Sequence, residues 1–388
     1  MAAPLRRKRD STNGAATEGR PYSLASGAQG RAGERWQAVA ESESRGFPLI
    51  LGGMRLAEGS VAMSASVLNM PANMPASGWI ISRRNDLFFF IGSALLGYLL
   101  ITLAVAQNGL PPAFLLLYAF AIDGPHVFST LTRSLFDASE RSKLRRVWLI
   151  GFPTCVATIG ALAIAAGTDA AFVVVACLSH YHISKQHMGF VMIYKRKARE
   201  TGDYKLDKYF TLASLMLPLG YYLSSLSNLR IPLTVFLMIG VALAVYYTWH
   251  QLQKSSVNAP KLLLLAAFIP LQWLTWSYAA ADPHSVARLV AAGVAMNVGH
   301  SFQYLRLMYF HNHNRYAGRR GLLGLVNRKA LYFMAAAIFL ALPNFISLQL
   351  NTFYLSAFVV GMLLFHFVVD ARIWRVRGDK ELAQALKL

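Results

Sequence analysis

Downstream of residue 80 the apolar residues come in long blocks broken by short polar segments. The blocks lie at about 87–106, 112–132, 146–167, 170–194, 207–226, 231–250, 261–280, 285–310, 330–348 and 352–374. About twenty helical residues at 1.5 Å each cross the roughly 30 Å of a bilayer's hydrocarbon. The pattern predicts an all-α, polytopic integral membrane bundle of about ten transmembrane helices. The connections alternate in charge. "AQNGLPP", "GTDA", "SSLSNLR", "AAADPH" and "SLQLNTF" are nearly uncharged, whereas "RSLFDASERSKLRR", "KRKARETGDYKLDK", "HQLQKSSVNAPK", "HNHNRYAGRRGLLGLVNRK" and "RIWRVRGDKELAQALK" are basic. Basic loops stay on the cytoplasmic side, so both termini are expected there. No internal repeat is visible, which disfavours an inverted-repeat transporter.

Composition agrees with this. The chain is 55% hydrophobic and only 14% charged, against about 25% charged in soluble domains. Its net charge of +20 first suggests nucleic acid, but the lysines and arginines fall mostly in the short loops, as topology alone requires. With no soluble basic domain to carry it, a nucleic-acid partner is not expected. Residues 1–78 are rich in Ala, Gly, Ser and Arg without an apolar period. They read as a disordered cytoplasmic tail, or as an extension upstream of a true start at Met63, Met70 or Met74. The transmembrane domain then runs over 79–376, and 377–388 form a cytoplasmic C-terminal tail. Cys155 and Cys177 fall inside spans, and no thiol metal motif is present. They are expected as small core residues.

The histidines change the picture. "SHYHISKQHMGF" places His180, His182, Lys185 and His187 within one apolar block. His126 follows Asp123 in "AIDGPHVFSTLTRS", His300 lies in "NVGHSFQYLRLMYFHNHNR", and His366 precedes Asp370 in "LLFHFVVDARIWRVR". On the predicted topology these helices all run in one direction; His126, His187 and His366 reach similar depth, and His300 lies somewhat deeper. Ionisable groups inside spans are costly and mark functional interiors. Asp123 and His126 are three apart, and His366 and Asp370 four apart, so each pair shares a helix face. Gly124 and Pro125 predict a kink beside His126. His180 and His187 are two turns apart on one face, about 10 Å, which suits two metals or a ligand plus a supporting partner.

Imidazole with a nearby carboxylate suits iron, copper or zinc. The expectation is metal ligation by His126, His187, His300 and His366, with Asp123, His180 and Asp370 as catalytic or ring-orienting groups. His182 is read as a helix–helix partner or as a ligand in place of His180. His250 and His284 are read as helix–helix partners. His311 and His313 are read as solvated in a basic loop, or as lining an entrance. Arg306 can pair with Asp123 or Asp370, or snorkel. A bis-histidine haem competes with a bare metal. A proton or metal-ion transporter, and a structural protein whose histidines join helices, remain open.

"DGPHVFSTLTRSLFD" and "KQHMGF" resemble motifs of the Brp/Blh family of bacterial membrane β-carotene 15,15′-oxygenases. His126 and His187 fit those motifs, while His300 and His366 agree only as histidines in later spans. "PHVF" and "QHMGF" depart from the family's own spellings, and its usual chain is shorter. The resemblance implies a membrane oxidoreductase of the bacterial inner membrane, with non-haem iron, dioxygen as co-substrate and a lipophilic substrate such as a carotenoid. The chain contains no redox domain, so an electron donor, where needed, is a separate partner.

Overall fold

The computed structural model describes residues 78–388 except 228, 230, 317, 319, 322, 323, 325–352, 377 and 378. The expected tail at 1–78, apart from its last residue, and the span expected at 330–348 lie outside the described residues. The described residues are helical, with no strand among them. The helices are α1 (Arg83–Gln107), α2 (Pro112–Phe136), α3 (Ala138–Ala166), α4 (Thr168–Lys197), α5 (Tyr204–Leu226), α6 (Leu233–Leu252), α7 (Ala259–Ala280), α8 (Val286–Tyr316), α9 (Phe353–Ile373) and the short α10 (Lys380–Ala385). Among the described residues, six segments are long and apolar enough to cross a membrane: α1, α2, α3, α6, α7 and Leu355–Ile373 of α9. The long helices α4, α5 and α8 carry a heavier polar load, including the histidines that drew attention in the sequence.

Local chemistry sets the breaks. Asp137 stands alone between α2 and α3, in extended backbone, and accepts from the Ser139 amide at 2.9 Å. Gly167 is the only residue between α3 and α4, with φ +88°, a conformation L side chains avoid. Within α2, two π-helical turns, Ala119–Asp123 and Thr132–Phe136, bracket the α-helical stretch Gly124–Leu131. Pro125 has no N–H to return to the preceding turn, and the wider turn before it accommodates that loss. The kink expected at Gly124–Pro125 is therefore expressed as a π-turn. It presents His126 and Thr130, four residues apart, on one face.

Small residues let helices approach. A methyl group built on Gly361 of α9 would lie 2.7 Å from the Val156 Cα of α3. Gly361→Ala should therefore cost about 1–3 kcal/mol through overpacking and push α9 off α3. A thermal midpoint equal to that of wild type would refute this close crossing.

The ends of α4, α5, α6 and the start of α7 meet in a charge network. Glu200, between α4 and α5, contacts Lys254 at 2.6 Å, Lys261 at 2.9 Å and Asn258 at 3.1 Å. Burial pushes its carboxyl up, but the Lys254 and Lys261 ammoniums and the Asn258 amide outweigh that and hold it at about 2. A depressed acid stabilises the fold above its unfolded value, near 4.5, and loses that contribution as pH falls toward about 2. The melting gap between wild type and Glu200→Gln should be full at pH 7 and shrink progressively below pH 4.5. A gap that widens with acid would contradict the assignment.

Candidate metal centre

Four helices converge on one buried point. α2 supplies His126 and Thr130, α4 supplies His182, α8 supplies His300 and Tyr304, and α9 supplies His366 and Asp370. Ligand atoms of His126, His182 and His366 all lie within 4.8 Å of one another, a group that could hold a metal ion. The His126 and His366 Nε2 atoms are 2.8 Å apart. Asp370 Oδ2 lies 3.7 Å from His366 Nε2 and 3.8 Å from His182 Nε2, too far for hydrogen bonds. His182 Nε2, Asp370 Oδ2 and both ring nitrogens of His300 are buried without hydrogen-bond partners. The His300 ring sits 4.8 Å from that of His126 and 5.1 Å from that of His182.

A cation bound at about 2.1 Å sets neighbouring donors roughly 3 Å apart and opposite ones roughly 4.2 Å apart. The observed spacings meet the first value and need a contraction of well under 1 Å to meet the second.

The surrounding hydroxyls fix protons. Thr130 Oγ1 donates to Asp370 Oδ1 at 2.8 Å, and Tyr304 OH donates to the same oxygen at 2.7 Å. With its own proton so committed, Thr130 Oγ1 accepts from His366 Nδ1 at 2.6 Å. The His366 proton is thereby on Nδ1, and its Nε2 lone pair faces the centre. His126 Nε2–H must then donate to His366 Nε2. A cation entering here takes the His126 Nε2 lone pair once that proton has moved to Nδ1, which is buried without a hydrogen-bond partner. Asp370 is left with one saturated oxygen and one bare oxygen aimed at the histidines.

The expected residues divide. His126, His300, His366 and Asp370 meet at this point. His182 does too, and His180 does not. His180 Nε2 donates to the Leu215 carbonyl at 2.7 Å, and Trp276 Nε1 donates to His180 Nδ1 at 3.1 Å. Pro218 inside α5 has no N–H to return to the Ser214 carbonyl, next to Leu215. With both nitrogens engaged, His180 joins α4 to α5 and α7 and has no lone pair left for a metal. His187 Nδ1 donates to the Ile183 carbonyl at 2.9 Å, and its ring lies 4.3 Å from that of Phe268. Its Nε2 is buried and bare, outside the three-histidine group. Asp123 lies one turn before His126 and accepts from Tyr118 OH at 3.0 Å and Asn297 Nδ2 at 3.2 Å. Its hydrogen bonds point away from the histidine group.

Two further readings change. His311 is buried and His313 half-buried on α8, which stays helical to Tyr316; His311 packs 5.7 Å from Trp374, and His313 stacks on Tyr309. They are not in a solvated loop. Arg306 donates to Asn85 Oδ1 at 2.9 Å and has no hydrogen bond to Asp123 or Asp370 among those seen. Cys155 and Cys177 are free and half-buried.

Thr130 and Tyr304 were not anticipated, whereas His182 stands where one of its two readings put it, in place of His180. The first two had a signal. Thr130 follows His126, Tyr304 follows His300, and Asp370 follows His366, each by four residues. Comparison with known protein families, curated proteins and solved structures finds no match.

Proposed function

We propose that this chain is a membrane metalloenzyme that oxidises a lipophilic substrate at the His126–His182–His366 group. The observation that supports it is the set of bare acceptors in one buried place. Three imidazoles and a carboxylate oxygen crowd together without hydrogen-bonding one another, apart from a single His126–His366 contact. Such an arrangement is unfavourable in the absence of a cation and favourable around one. Three histidines with one carboxylate suit iron, copper, zinc or manganese. The resemblance to the β-carotene oxygenases selects iron, which supplies the binding and activation of dioxygen.

The chain's residues divide the rest of the work. His126, His182, His366 and Asp370 hold the cation, and His300 completes the wall or the coordination. Thr130 and Tyr304 orient His366 and Asp370 and set their protons. The apolar walls exclude water from the reacting molecule. Splitting one carbon–carbon double bond with one dioxygen gives two aldehydes and balances without an external reductant, so cleavage of this kind needs no redox partner. The resemblance points to carotenoids, which are screened both without and with an acidic end group. The ten-span topology, the cytoplasmic termini and the bacterial inner membrane belong to the same proposal.

The histidine geometry does not favour haem. Rings 4.6–5.2 Å apart leave no slot for a macrocycle between them. The test is metal content by mass spectrometry with an optical spectrum on detergent-purified full-length protein grown in iron-replete medium. Bound iron without a Soret band supports the reading. A Soret band overturns it in favour of haem, and metal-free protein overturns it altogether.

A further inference from the structure

We infer that the molecule reaching this centre is an amphiphile, an elongated apolar chain ending in an anionic group, and that it lies in the crevice between α4 and α9 with its head on Lys185. The inference rests on the reading of the centre as a site of lipid oxidation and names the class of substrate for it.

The centre is closed on nearly every side. His300 and His366 are 0% and 1% exposed, and His126 is 2% exposed. The His182 side chain, at 10%, opens outward. Its ring is stacked on Phe367 of α9, with centroids 4.4 Å apart and planes at 21°. Phe367 and Val175 pack in turn against the small α3–α4–α9 cluster of Ile159, Ala171 and Leu364. Near His182 and Phe367 along their helices, Leu178 and Tyr181 on α4 and Val368 on α9 are exposed at 44%, 51% and 37%. None of these residues is charged, so the way in suits an apolar chain dissolved among lipids.

Lys185 breaks that uniformity. It lies three residues beyond His182, hence one turn along the same side of α4. It stands near the middle of a 30-residue helix, far from either end. Among the described residues its Nζ meets only the Met188 sulfur, at 3.9 Å. A lone ammonium in hydrocarbon is costly and calls for an anion. Every carboxylate of the lysine network at the end of α4 is already engaged by other lysines. A carboxylate or phosphate carried by the ligand meets that demand. It also fixes the depth of the chain, so that one stretch of it passes the Phe367 ring and reaches His182.

The test uses full-length protein in phosphatidylcholine nanodiscs and a fatty acid with a diazirine on its chain. Cross-linked peptides are mapped by mass spectrometry. The label should fall on the segments around Leu178–Lys185 and Phe367–Ala371. Oleate or dioleoyl phosphatidate should compete at least about tenfold better than oleyl alcohol, the scale of one charged contact. The stronger of the two acids identifies the head as carboxylate or phosphate. Lys185→Gln should lose the label by a similar factor while Lys185→Arg keeps it. Phe367→Trp should weaken labelling with Lys185 intact. Equal competition by oleyl alcohol or β-carotene, an unchanged Lys185→Gln, or label confined to other helices overturns the proposal. Metal content is measured on the same samples. Loss of metal in wild type would sink the oxidation reading, while the cross-links still decide the crevice.

Discussion

His182→Ala and His366→Ala should each strip the bound metal from purified protein, and His180→Ala should not. A four-ligand site with a binding free energy of about 10–16 kcal/mol carries roughly 3 kcal/mol per ligand, so one deletion lowers affinity by about a hundredfold or more. His180→Ala loses instead the hydrogen bonds to the Leu215 carbonyl and to Trp276 Nε1. That costs about 1–3 kcal/mol of stability and leaves the metal in place. Thr130→Val and Tyr304→Phe fall between these cases. Each removes a hydroxyl from Asp370 Oδ1, and Thr130→Val also frees the His366 proton. Outer partners of this kind are worth about ten- to a hundredfold in affinity. Metal titration of dialysed, monodisperse protein ranks the variants. Metal retained by His182→Ala and lost from His180→Ala would reverse the assignment of α4's faces.

That assignment is where sequence reasoning reached its limit. Positions of the long helices followed from block length, because a twenty-residue apolar run has few other folds available. The pairing of His366 with Asp370 followed from a spacing of four. Which side of α4 points inward did not follow. Its apolar residues are spread around the whole helix, so no stripe marks the core face, and His180 and His182 differ by two steps of 100°. The choice is made by α5, whose Leu215 carbonyl takes His180 and so turns His182 toward α9. That information lies in another helix and is not local to "SHYHISKQHMGF". His311 was misplaced for a related reason. "HNHNR" is polar enough to read as a loop, but α8 continues through it to Tyr316, and His311 finds Trp374 beyond the end of α9. The four-residue spacing of Thr130 and Tyr304 from their histidines was present in the sequence. A hydroxyl residue four positions from a histidine is too common to stand out until two such pairs meet the His366–Asp370 pair in space.

Asp207→Ala should be the most damaging single change outside the metal centre. Asp207 is 0% exposed at the start of α5. Its Oδ1 accepts from Lys261 Nζ at 3.0 Å, from Gln251 Nε2 at 3.5 Å and from the Tyr247 hydroxyl, and its Oδ2 accepts from Lys195 Nζ. Those partners come from α4, α6 and α7, so one carboxylate joins four helices. Lys261 is itself 0% exposed and Lys195 5% exposed. Without Asp207 these two ammoniums share what Glu200 can offer, at 2.9 Å and 3.4 Å, with Lys254 competing for the same oxygen at 2.6 Å. Breaking a buried pair by removing one partner costs about 3–5 kcal/mol, mostly from the charge left behind. Removing Lys261 as well takes away one of the two stranded ammoniums and leaves Glu200 to Lys195 and Lys254. Asp207→Leu combined with Lys261→Met should therefore recover much of what Asp207→Ala loses. α6 should respond first, since its outer face is largely exposed and Tyr247 and Gln251 are its buried residues. Limited proteolysis between α5 and α6, with thermal melting in detergent, reads both effects. The proposed ligands His126, His182 and His366 lie on α2, α4 and α9, away from Asp207, so protein that stays folded should bind metal as wild type does. A double variant less stable than Asp207→Ala would show that the network contributes attraction beyond the cost of an unpaired charge.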